Sequence, residues 1–328
     1  MFGRNTFTCK TKNSLSIFME STKIFCIIVT YNALNWIDKC LKSLQLSTVE
    51  VFTIVVDNAS NDDTVSYVEK YFPKVQIIKN NCNKGFGQAN NQGIEYAYKE
   101  GATHFFLLNQ DAWIEANTIE KLVNIQDSKN FSIVSPIHLN GTGDRLDFNF
   151  FHNILQSESN LEFVSDLILN RYKSFYRVSQ INAAAWLLSK ETIDNIGGFD
   201  PIFFHYGEDG NFCQRVKYHQ GNIVFVPDSF IYHDRIFHGN QKVYNERRIL
   251  SSLLHYYADI SNSCFTFNKK IILLHLSNFK QVIHLFVRFK FVKIFRLFLS
   301  YIIFFQMIPK LVKSKKKNKI IGHNWLNI

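Results

Sequence analysis

The chain has 328 residues, of which 46% are hydrophobic, and it carries a formal net charge of +10. A chain of this length and apolar content can bury a substantial core, which excludes disorder throughout. The six cysteines are scattered without a C-x-x-C pair, which argues against a zinc site or a disulfide framework and fits a reducing cytosol.

The start of the chain lacks the apolar core and the small-residue cleavage site of a signal peptide, so the sequence does not predict secretion. We interpret residues 1–22 as an unstructured leader, and Met19 is a candidate start of translation. The organised part of the chain is therefore expected to begin near Lys23.

From Lys23 onward, short apolar runs alternate with amphipathic segments. The apolar runs predict buried strands at 23–30, 51–56, 75–78 and 104–108. The segments between them predict helices that begin near Asn35, Asp62 and Gln88. A further helix is expected after Asn117 and Glu120, which form a capping-box pattern. This rhythm favours an α/β fold with a mostly parallel sheet and right-handed crossovers.

The second half of the chain is less regular. Residues 138–180 are polar and aromatic, and we interpret them as an irregular insert. After them the pattern predicts a helix from Glu208 to His219 and a pair of strands, "IVFV" and "SFIYH". From Glu246 the pattern is helical, so we expect a domain at 23–245 and a helical C-terminal region at 246–328.

Polar clusters follow each of the first four predicted strands. They are Thr30-Tyr31-Asn32, Asp57-Asn58-Ala59-Ser60, Asn83-Lys84-Gly85-Phe86-Gly87 and Asn109-Gln110-Asp111. One such cluster is typical of a turn, but four at the same edge of a parallel sheet indicate a ligand crevice. The glycine-rich cluster lacks the third glycine of a dinucleotide fingerprint, which disfavours a nicotinamide enzyme.

Several motifs in order carry a resemblance to a known family. They are "IIVTYNALNWIDKCLKSL", "VVDNASNDDT", "NKGFGQANNQGI", "FFLLNQDAW", "GGFDPIFFHYGEDGNFCQRV" and "FVPDSFIYHD". Together they resemble a family 2 glycosyltransferase of the rhamnosyltransferase-like branch, over roughly residues 23–234. The resemblance implies the GT-A nucleotide-sugar-binding fold, with a mostly parallel central sheet flanked by helices, plus a helical C-terminal appendage.

The resemblance also implies which residues bind the sugar donor. The loop Thr30-Tyr31-Asn32 would cradle the base, and Asp57 would accept a hydrogen bond from the imide N–H of uracil or thymine. Further donor contacts are expected from Asn83, Gly85, Gly87 and Gln110. At the two glycines the lack of a Cβ would let the backbone approach the ribose and the diphosphate.

A divalent metal, Mg²⁺ or Mn²⁺, is implied at Asp111, the final carboxylate of the family's D-x-D site. This chain has Asn109 in the first position of that site, so substrate phosphates and water would have to complete the metal's shell. His233 matches a second metal ligand in relatives, and a nitrogen ligand suits Mn²⁺ better than Mg²⁺. A histidine merely paired at a strand end is the alternative.

The resemblance makes Asp209 the general base, which would take the proton of the acceptor hydroxyl in an inverting transfer. Glu208 stands beside it, and both acids would also be favoured at the positive end of a helix that starts here. Relatives often carry a further acid at Gly210. The segment Gln214-Arg215-Val216 is a reduced form of the Q-x-x-R-W motif of processive relatives, which favours transfer of a single sugar.

The C-terminal region combines apolar bulk with basic charge. Residues 281–308 are rich in Phe, Leu and Ile but contain Arg288, Lys290, Lys293 and Arg296. The uncharged stretch 297–308 is shorter than the roughly 20 residues that span a bilayer. We therefore expect interfacial helices with a polybasic end on anionic lipid, and core packing is the alternative. No nucleic-acid module accompanies the charge, so we expect no nucleic-acid partner.

Taken together, the sequence predicts a cytoplasmic enzyme, peripheral at the inner face of the cell membrane. It would move one sugar from a UDP- or dTDP-sugar to a hydroxyl of a glycan or lipid-linked glycan in cell-surface polysaccharide synthesis. The competing hypothesis is a non-catalytic nucleotide-sugar-binding or scaffold protein of the same fold.

Overall fold

A computed structural model of the chain describes residues 22–155, 160–235, 246–259 and 269–328. The leader expected at the start of the chain lies outside the described residues, apart from its last residue. The proposed domain boundary near residue 245 also falls beside a range that is not described, and it stays a prediction.

The first half of the chain alternates strands and helices, as the sequence predicts. Its strands are β1 Ile24–Thr30, β2 Phe52–Asp57, β3 Gln76–Lys79, β4 His104–Asn109, β5 Ala112–Ile114 and β6 Ile133–Asn140. The helices between them are α1 Ile37–Gln45, α2 Thr64–Tyr71, α3 Phe86–Lys99 and α4 Thr118–Lys129. The four predicted strands are found within one or two residues of their expected limits.

The second half adds helices and three strands. The helices are α5 Phe148–Leu155, α6 Asn160–Ile168, α7 Lys190–Ile196, α8 Glu208–Tyr218, α9 Glu246–Ala258, α10 Lys269–Val287 and α11 Phe291–Asn318. The strands are β7 Tyr176–Arg177, β8 Ala185–Ser189 and β9 Ile223–His233. The described strands form one sheet in the order β3-β2-β1-β4-β8-β6-β9-β5, and β7 pairs with β9.

Parallel pairing joins the first four strands, because β1 pairs with β2 and β4 while β2 pairs with β3. The predicted mostly parallel sheet is confirmed there, and β5, β7 and β8 add antiparallel pairs. Side chains of β1 alternate between two apolar cores, with Phe25 and Ile27 facing one and Cys26 and Ile28 facing the other. Helices therefore cover both faces, as a buried parallel sheet requires.

Two interpretations of the second half are wrong. The supposed irregular insert at 138–180 contains the end of β6, the helices α5 and α6, and β7. The supposed strand pair is the single strand β9, whose register against β6 shifts after Pro136. Polar residues and a proline inside β6 hid this part of the sheet, because proline inside a run normally argues against a strand.

The capping box predicted before α4 is also wrong in detail. Asn117 occupies the N-cap position, but its side chain makes no capping hydrogen bond. Glu120 instead accepts a hydrogen bond from Thr48 Oγ1 at 2.6 Å. The exposed Glu120 therefore ties α4 to the loop after α1 rather than to its own first turn.

The C-terminal helices α9, α10 and α11 pack on one another and, through α9, on α8. Helix α9 packs against α11, and Leu253, Leu254 and Leu297 share a small apolar cluster with Phe203, which precedes α8. Within the described ranges, α11 is the one helix that is long and apolar enough to cross a membrane. Only 17% of its most apolar 18-residue window is buried.

The end of the chain docks on the turn after α7. The backbone N–H of Gly198 donates to Asn324 O at 2.8 Å, and Asn91 Nδ2 donates to Trp325 O at 3.2 Å. A Cβ at Gly197 would lie 2.2 Å from Asn324 O, so glycine permits this close approach. Leu326 also packs against the main core, so this last segment is anchored on the sheet's helical layer by both hydrogen bonds and apolar contacts.

Asp200 holds the lysine-rich end of α11 in place. Its Oδ2 accepts hydrogen bonds from Ser314 Oγ and from Asn318 Nδ2, the latter at 2.8 Å. Ser314, Lys315 and Asn318 are buried, whereas Lys313 and Lys316 are exposed. The polybasic end is therefore partly a structural element, and only its exposed lysines are available to lipid.

We expect Asp200→Ala to lower the free energy of unfolding by about 2 kcal/mol, because it removes the buried acceptor that Ser314 Oγ and Asn318 Nδ2 share. Urea denaturation followed by circular dichroism measures the change. Asp228→Ala is the matched control, since Asp228 is a mostly exposed partner of Lys121 and such surface pairs contribute little. Equal effects of the two substitutions would contradict the docking role of Asp200.

Candidate active site

Residues that were predicted to bind the sugar donor lie together at one edge of the sheet, at the carboxyl ends of β1, β2 and β4. The parallel register pairs Thr30 with Asp57, and it pairs Val29 with Asn109. The chain order reverses here, because β2 and β3 lie on one side of β1 and β4 lies on the other. Such a switch point is where open α/β sheets bind ligands.

Asp57 is buried and already fixed by its neighbours. Its Oδ1 accepts from Thr30 Oγ1 at 2.9 Å, and its Oδ2 accepts from the backbone N–H of Ser60 at 3.0 Å. A carboxylate oxygen can accept two hydrogen bonds, so Oδ2 retains capacity for one more donor. The predicted contact of Asp57 with the imide N–H of a pyrimidine base stays a prediction.

The loop after β1, residues 31–32, is held by side chains of the loops after β2 and β4. Asn32 has a φ of 52°, and its backbone N–H donates to Ser60 Oγ at 2.9 Å. Tyr31 N–H donates to Gln110 Oε1 at 2.7 Å, and Gln110 Nε2 donates back to Tyr31 O at 3.3 Å. Gln110 thus supports the loop, and its direct contact with a donor stays a prediction.

Asn58 is a central residue of the site that the sequence did not single out. Its Nδ2 donates to Asn83 Oδ1 at 3.0 Å and to Gly85 O at 3.2 Å, while its Oδ1 accepts from Lys84 N. It therefore joins the edge of β2 to the glycine-rich loop. The signal in the sequence was its place in the polar cluster that follows the second strand.

The two glycines serve the protein's own packing. A Cβ at Gly85 would lie 2.0 Å from Phe204 O, and Gly85 has a φ of 85°. A Cβ at Gly87 would meet Phe199 Cβ at 2.9 Å and Glu208 Cβ at 3.6 Å. The close approach of the loop before α8 therefore requires glycine at both positions, and their contact with ribose and diphosphate stays a prediction.

Asp111 and His233 meet at the turn between β4 and β5. Asp111 Oδ1 lies 3.3 Å from His233 Nε2, and Asn109 Nδ2 lies 3.3 Å from the same nitrogen. On the other side of the ring, Asp147 Oδ2 lies 3.4 Å from His233 Nδ1. Asp147 also accepts from two backbone N–H groups in the first turn of α5, which fixes its carboxylate.

The charges of this group set its protonation. Burial alone would lower the pKa of His233, but hydrogen bonds with Asp111 and Asp147 outweigh it and raise the pKa. Burial would likewise raise the pKa of Asp147, but its contact with His233 and the charge of Arg235 hold it well below the usual range. A carboxylate at Nδ1 is the partner that a metal-ligating histidine commonly has.

The fit to a metal can be tested on the donor atoms. The described residues contain no group of three or more His, Cys, Asp or Glu side chains placed to hold an ion. Asp111 and His233 offer two ligands, and the buried Asn109 Oδ1, which has no hydrogen-bond partner among those residues, offers a third acceptor nearby. The set fits a divalent ion whose remaining ligands come from phosphate and water.

Glu208 and Asp209 open α8, next to the glycine-rich loop. Glu208 is 5% exposed, and its Oε2 has no hydrogen-bond partner in the described part of the chain. Burial, together with the neighbouring Asp209, raises the pKa of Glu208 to about 8. Asp209 is half-buried, and its Oδ1 accepts from Gly210 N at 2.7 Å. The two neighbouring acids therefore differ in burial and in hydrogen bonding.

Two further motif positions have structural explanations. A Cβ at Gly210 would lie 2.5 Å from His255 Cε1 of α9, so the C-terminal region covers the position where relatives carry an acid. Arg215 is buried, and its guanidinium donates to Ile196 O at 2.8 Å and to Gly198 O at 2.5 Å. Burial lowers the pKa of Arg215 to about 10. This arginine therefore holds the turn on which the end of the chain docks.

Comparison with known proteins identifies a family profile and related sequences. Residues 25–184 match the profile of the glycosyl transferase family 2. The dTDP-rhamnosyl transferase RfbF of Shigella flexneri is 26% identical over 218 residues, which cover 65% of this chain and 69% of that protein.

Two solved structures share the fold. S. aureus TarS in complex with UDP-GlcNAc superposes with a TM-score of 0.58 at 15% identity, over 91% of this chain and 89% of that one. GalNAc-T7 with UDP, GalNAc and Mn²⁺ gives a TM-score of 0.54 at 14% identity, over 79% of this chain and 55% of that one. The family profile, the related transferase and the shared fold agree: the chain has the GT-A fold, and its residues 25–184 form a glycosyltransferase family 2 domain.

Proposed function

We propose that this glycosyltransferase moves a single sugar, with inversion, from a UDP- or dTDP-sugar to a hydroxyl of a glycan or lipid-linked glycan. One observation carries the proposal. The edge formed by Thr30, Asp57 and Asn58 continues through the glycine-rich loop to the paired acids that open α8. A donor held along this edge would present its sugar toward Asp209.

Recognition of the base rests on Asp57 and the loop after β1. The free acceptor capacity of Asp57 Oδ2 matches an imide N–H, which uracil and thymine have and which cytosine and adenine lack. The exposed Tyr31 ring provides an apolar surface beside it. The TarS structure contains UDP-GlcNAc, and RfbF is named a dTDP-rhamnosyl transferase. Both support a donor sugar linked to a pyrimidine nucleoside diphosphate.

Asp111 and His233 would hold the divalent metal, with Asn109 Oδ1 beside them. When bound, the ion would neutralise charge on the diphosphate leaving group. Asp147 keeps His233 oriented through Nδ1, so that Nε2 faces Asp111. The description of GalNAc-T7 with Mn²⁺ supports a metal for this fold.

The two acids of α8 would divide the acceptor chemistry. Asp209 would accept the proton of the attacking hydroxyl, because it is the less buried of the two acids. Glu208, with its raised pKa, is expected to stay protonated at neutral pH and to support Asp209 without adding a second negative charge. We place the reaction at the cytoplasmic face of a membrane, where a lipid-linked acceptor would be available.

A non-catalytic scaffold of the same fold remains the competing proposal, and a donor panel separates the two. Purified protein with Mn²⁺ is incubated with UDP- and dTDP-sugars, and release of the nucleoside diphosphate is measured. Hydrolysis or transfer with one donor supports an enzyme. Binding of donor without turnover, with or without acceptor glycans, supports the scaffold.

Asp111→Ala is expected to abolish metal-dependent binding of UDP while leaving the fold intact, because the Asp111 side chain is partly exposed at the crevice. Isothermal calorimetry with UDP, with and without Mn²⁺, measures the change. Asp63→Ala is the control, since Asp63 is exposed and its side chain makes no capping bond. Unchanged affinity in the Asp111 variant would remove this residue from the metal site.

Asp209→Asn is expected to lower the rate of transfer by at least about a hundredfold, because a positioned base contributes about 10² to 10⁴ in rate. Stability and donor affinity should hardly change, since asparagine has the same shape and its Oδ1 can still accept from Gly210 N. Glu208→Gln, which preserves a neutral side chain, should retain more activity. Wild-type rates in the Asp209 variant would place the base elsewhere.

The raised pKa of Glu208 predicts a pH-dependent stability. The folded state keeps a proton that the unfolded state releases above its ordinary pKa of 4.5, so this contribution is complete at low pH and is lost as pH rises through about 8. Glu208→Gln removes the dependence, and its stability relative to wild type should therefore rise between pH 5 and pH 9. Urea denaturation across this range tests it, and parallel pH curves would contradict a buried neutral Glu208.

A further inference from the structure

Helices α10 and α11 form a hairpin whose outer face is apolar and exposed. The three-residue connection Arg288-Phe289-Lys290 makes the helices antiparallel neighbours. Large side chains along both helices are more than half exposed, among them Phe279 at 63%, Phe295 at 66% and Phe298 at 61%. A contiguous apolar face of this kind marks an interaction surface rather than a water-facing one.

A groove runs between the two helices. It has a volume of about 590 Å³ and is lined mainly by Ile272, Leu276, Phe279 and Val282 of α10 and by Ile294 and Phe298 of α11. That volume lies within the roughly 300–1,000 Å³ of sites that hold small molecules.

The polar groups at the groove are satisfied by one another. Tyr301 OH lies 3.0 Å from His275 Nδ1 and accepts from Asn278 Nδ2 at 3.0 Å, and His275 Nε2 lies 3.0 Å from Tyr257 OH. Because these groups already have partners, the groove presents almost no polar atom to an occupant. The occupant must therefore be a hydrocarbon chain or an apolar side chain.

Charge decides between these occupants. No Asp or Glu follows Asp259 in the sequence, while Lys280, Arg288, Lys293 and Arg296 are interspersed with the exposed apolar residues. A second copy of this hairpin would bring like charges together, which is unfavourable. An anionic lipid surface supplies both the opposite charge and the hydrocarbon.

We propose that the α10–α11 hairpin lies in the interface of an anionic membrane and takes one phospholipid acyl chain into the groove between its helices. This refines the membrane location given under Proposed function, because it assigns the contact to the apolar hairpin rather than to the lysines after Pro309. The lysine-rich end of α11 is turned to the catalytic domain by Asp200. The basic side chains of the hairpin reach the headgroups while their stems stay in the apolar layer.

Flotation with vesicles tests the surface. The full chain is expected to bind vesicles of equimolar phosphatidylglycerol and phosphatidylcholine and to bind pure phosphatidylcholine more weakly. The double variant Phe279→Ser/Phe298→Ser should lower the apparent affinity at least about thirtyfold, because each loses most of a large apolar contact. The matched control Leu161→Ser/Ile168→Ser removes two exposed apolar side chains of α6 and should bind as wild type does.

A phosphatidylglycerol with a photoactivatable group in its acyl chain tests the groove. Cross-links should map to peptides within 272–301 of the full chain. Cross-links confined to 310–319 or to α6, equal losses in the two double variants, or no binding to anionic vesicles would overturn the proposal. A dimer of the wild-type chain would also overturn it, if light scattering without lipid shows that dimer, the Phe279→Ser/Phe298→Ser variant abolishes it, and the dimer does not bind vesicles.

Nucleotide release from the donor in detergent separates this proposal from the proposed function. The Phe279→Ser/Phe298→Ser variant should retain wild-type turnover there, because neither residue belongs to the donor crevice. Lost vesicle binding with intact turnover is the expected result. Turnover lost in the same variant by more than about threefold, with the fold intact by circular dichroism, would show that the hairpin is not a separate membrane contact.

Discussion

The parallel register of β1 with its two neighbours is the constraint on which the site depends. Because Thr30 stands beside Asp57 and Val29 beside Asn109, the polar residues that end three strands share one edge. A slip of one residue would turn these side chains to the opposite faces of the sheet. Apolar cores on both faces of β1 prevent that slip, since Ile27 and Ile28 are each fully buried on opposite sides.

The sequence could predict those parts of the site that follow from local patterns of apolar and polar residues. Continuous apolar runs identified β1 to β4, and the polar clusters after them identified Asp57 and Asp111. Asp147 escaped notice because it lies after a proline-containing strand, in a stretch without clear periodicity. Its contact with His233 joins two residues that are far apart in sequence, and no local pattern encodes such a pairing. The same holds for Asn91, which meets Trp325 near the end of the chain.

The two acids at the start of α8 show how burial can divide adjacent carboxylates. The helix N-terminus favours negative charge on both, by about 0.3–1 kcal/mol in exposed positions. Burial opposes charge on Glu208, and the raised pKa shows that burial prevails there. Asp209 keeps partial access to solvent and to a backbone N–H. Such a separation of neighbouring acids is typical of sites in which one group must accept a proton and the other must stay neutral.

The charges of the hairpin also decide how α11 can meet a membrane. By length and composition the helix could cross a bilayer. A crossing would require the hairpin tip, with Arg288, Lys290 and the nearby Lys293, to pass through the hydrocarbon, where a cation costs about 2.5–3.5 kcal/mol at the centre. The other end of α11 is held on the catalytic domain by buried contacts of Leu311 and Asn318. An in-plane position avoids the cost of burying these cations and still removes the exposed phenylalanines from water, so it is the arrangement that both the charge pattern and the docked end of the helix favour.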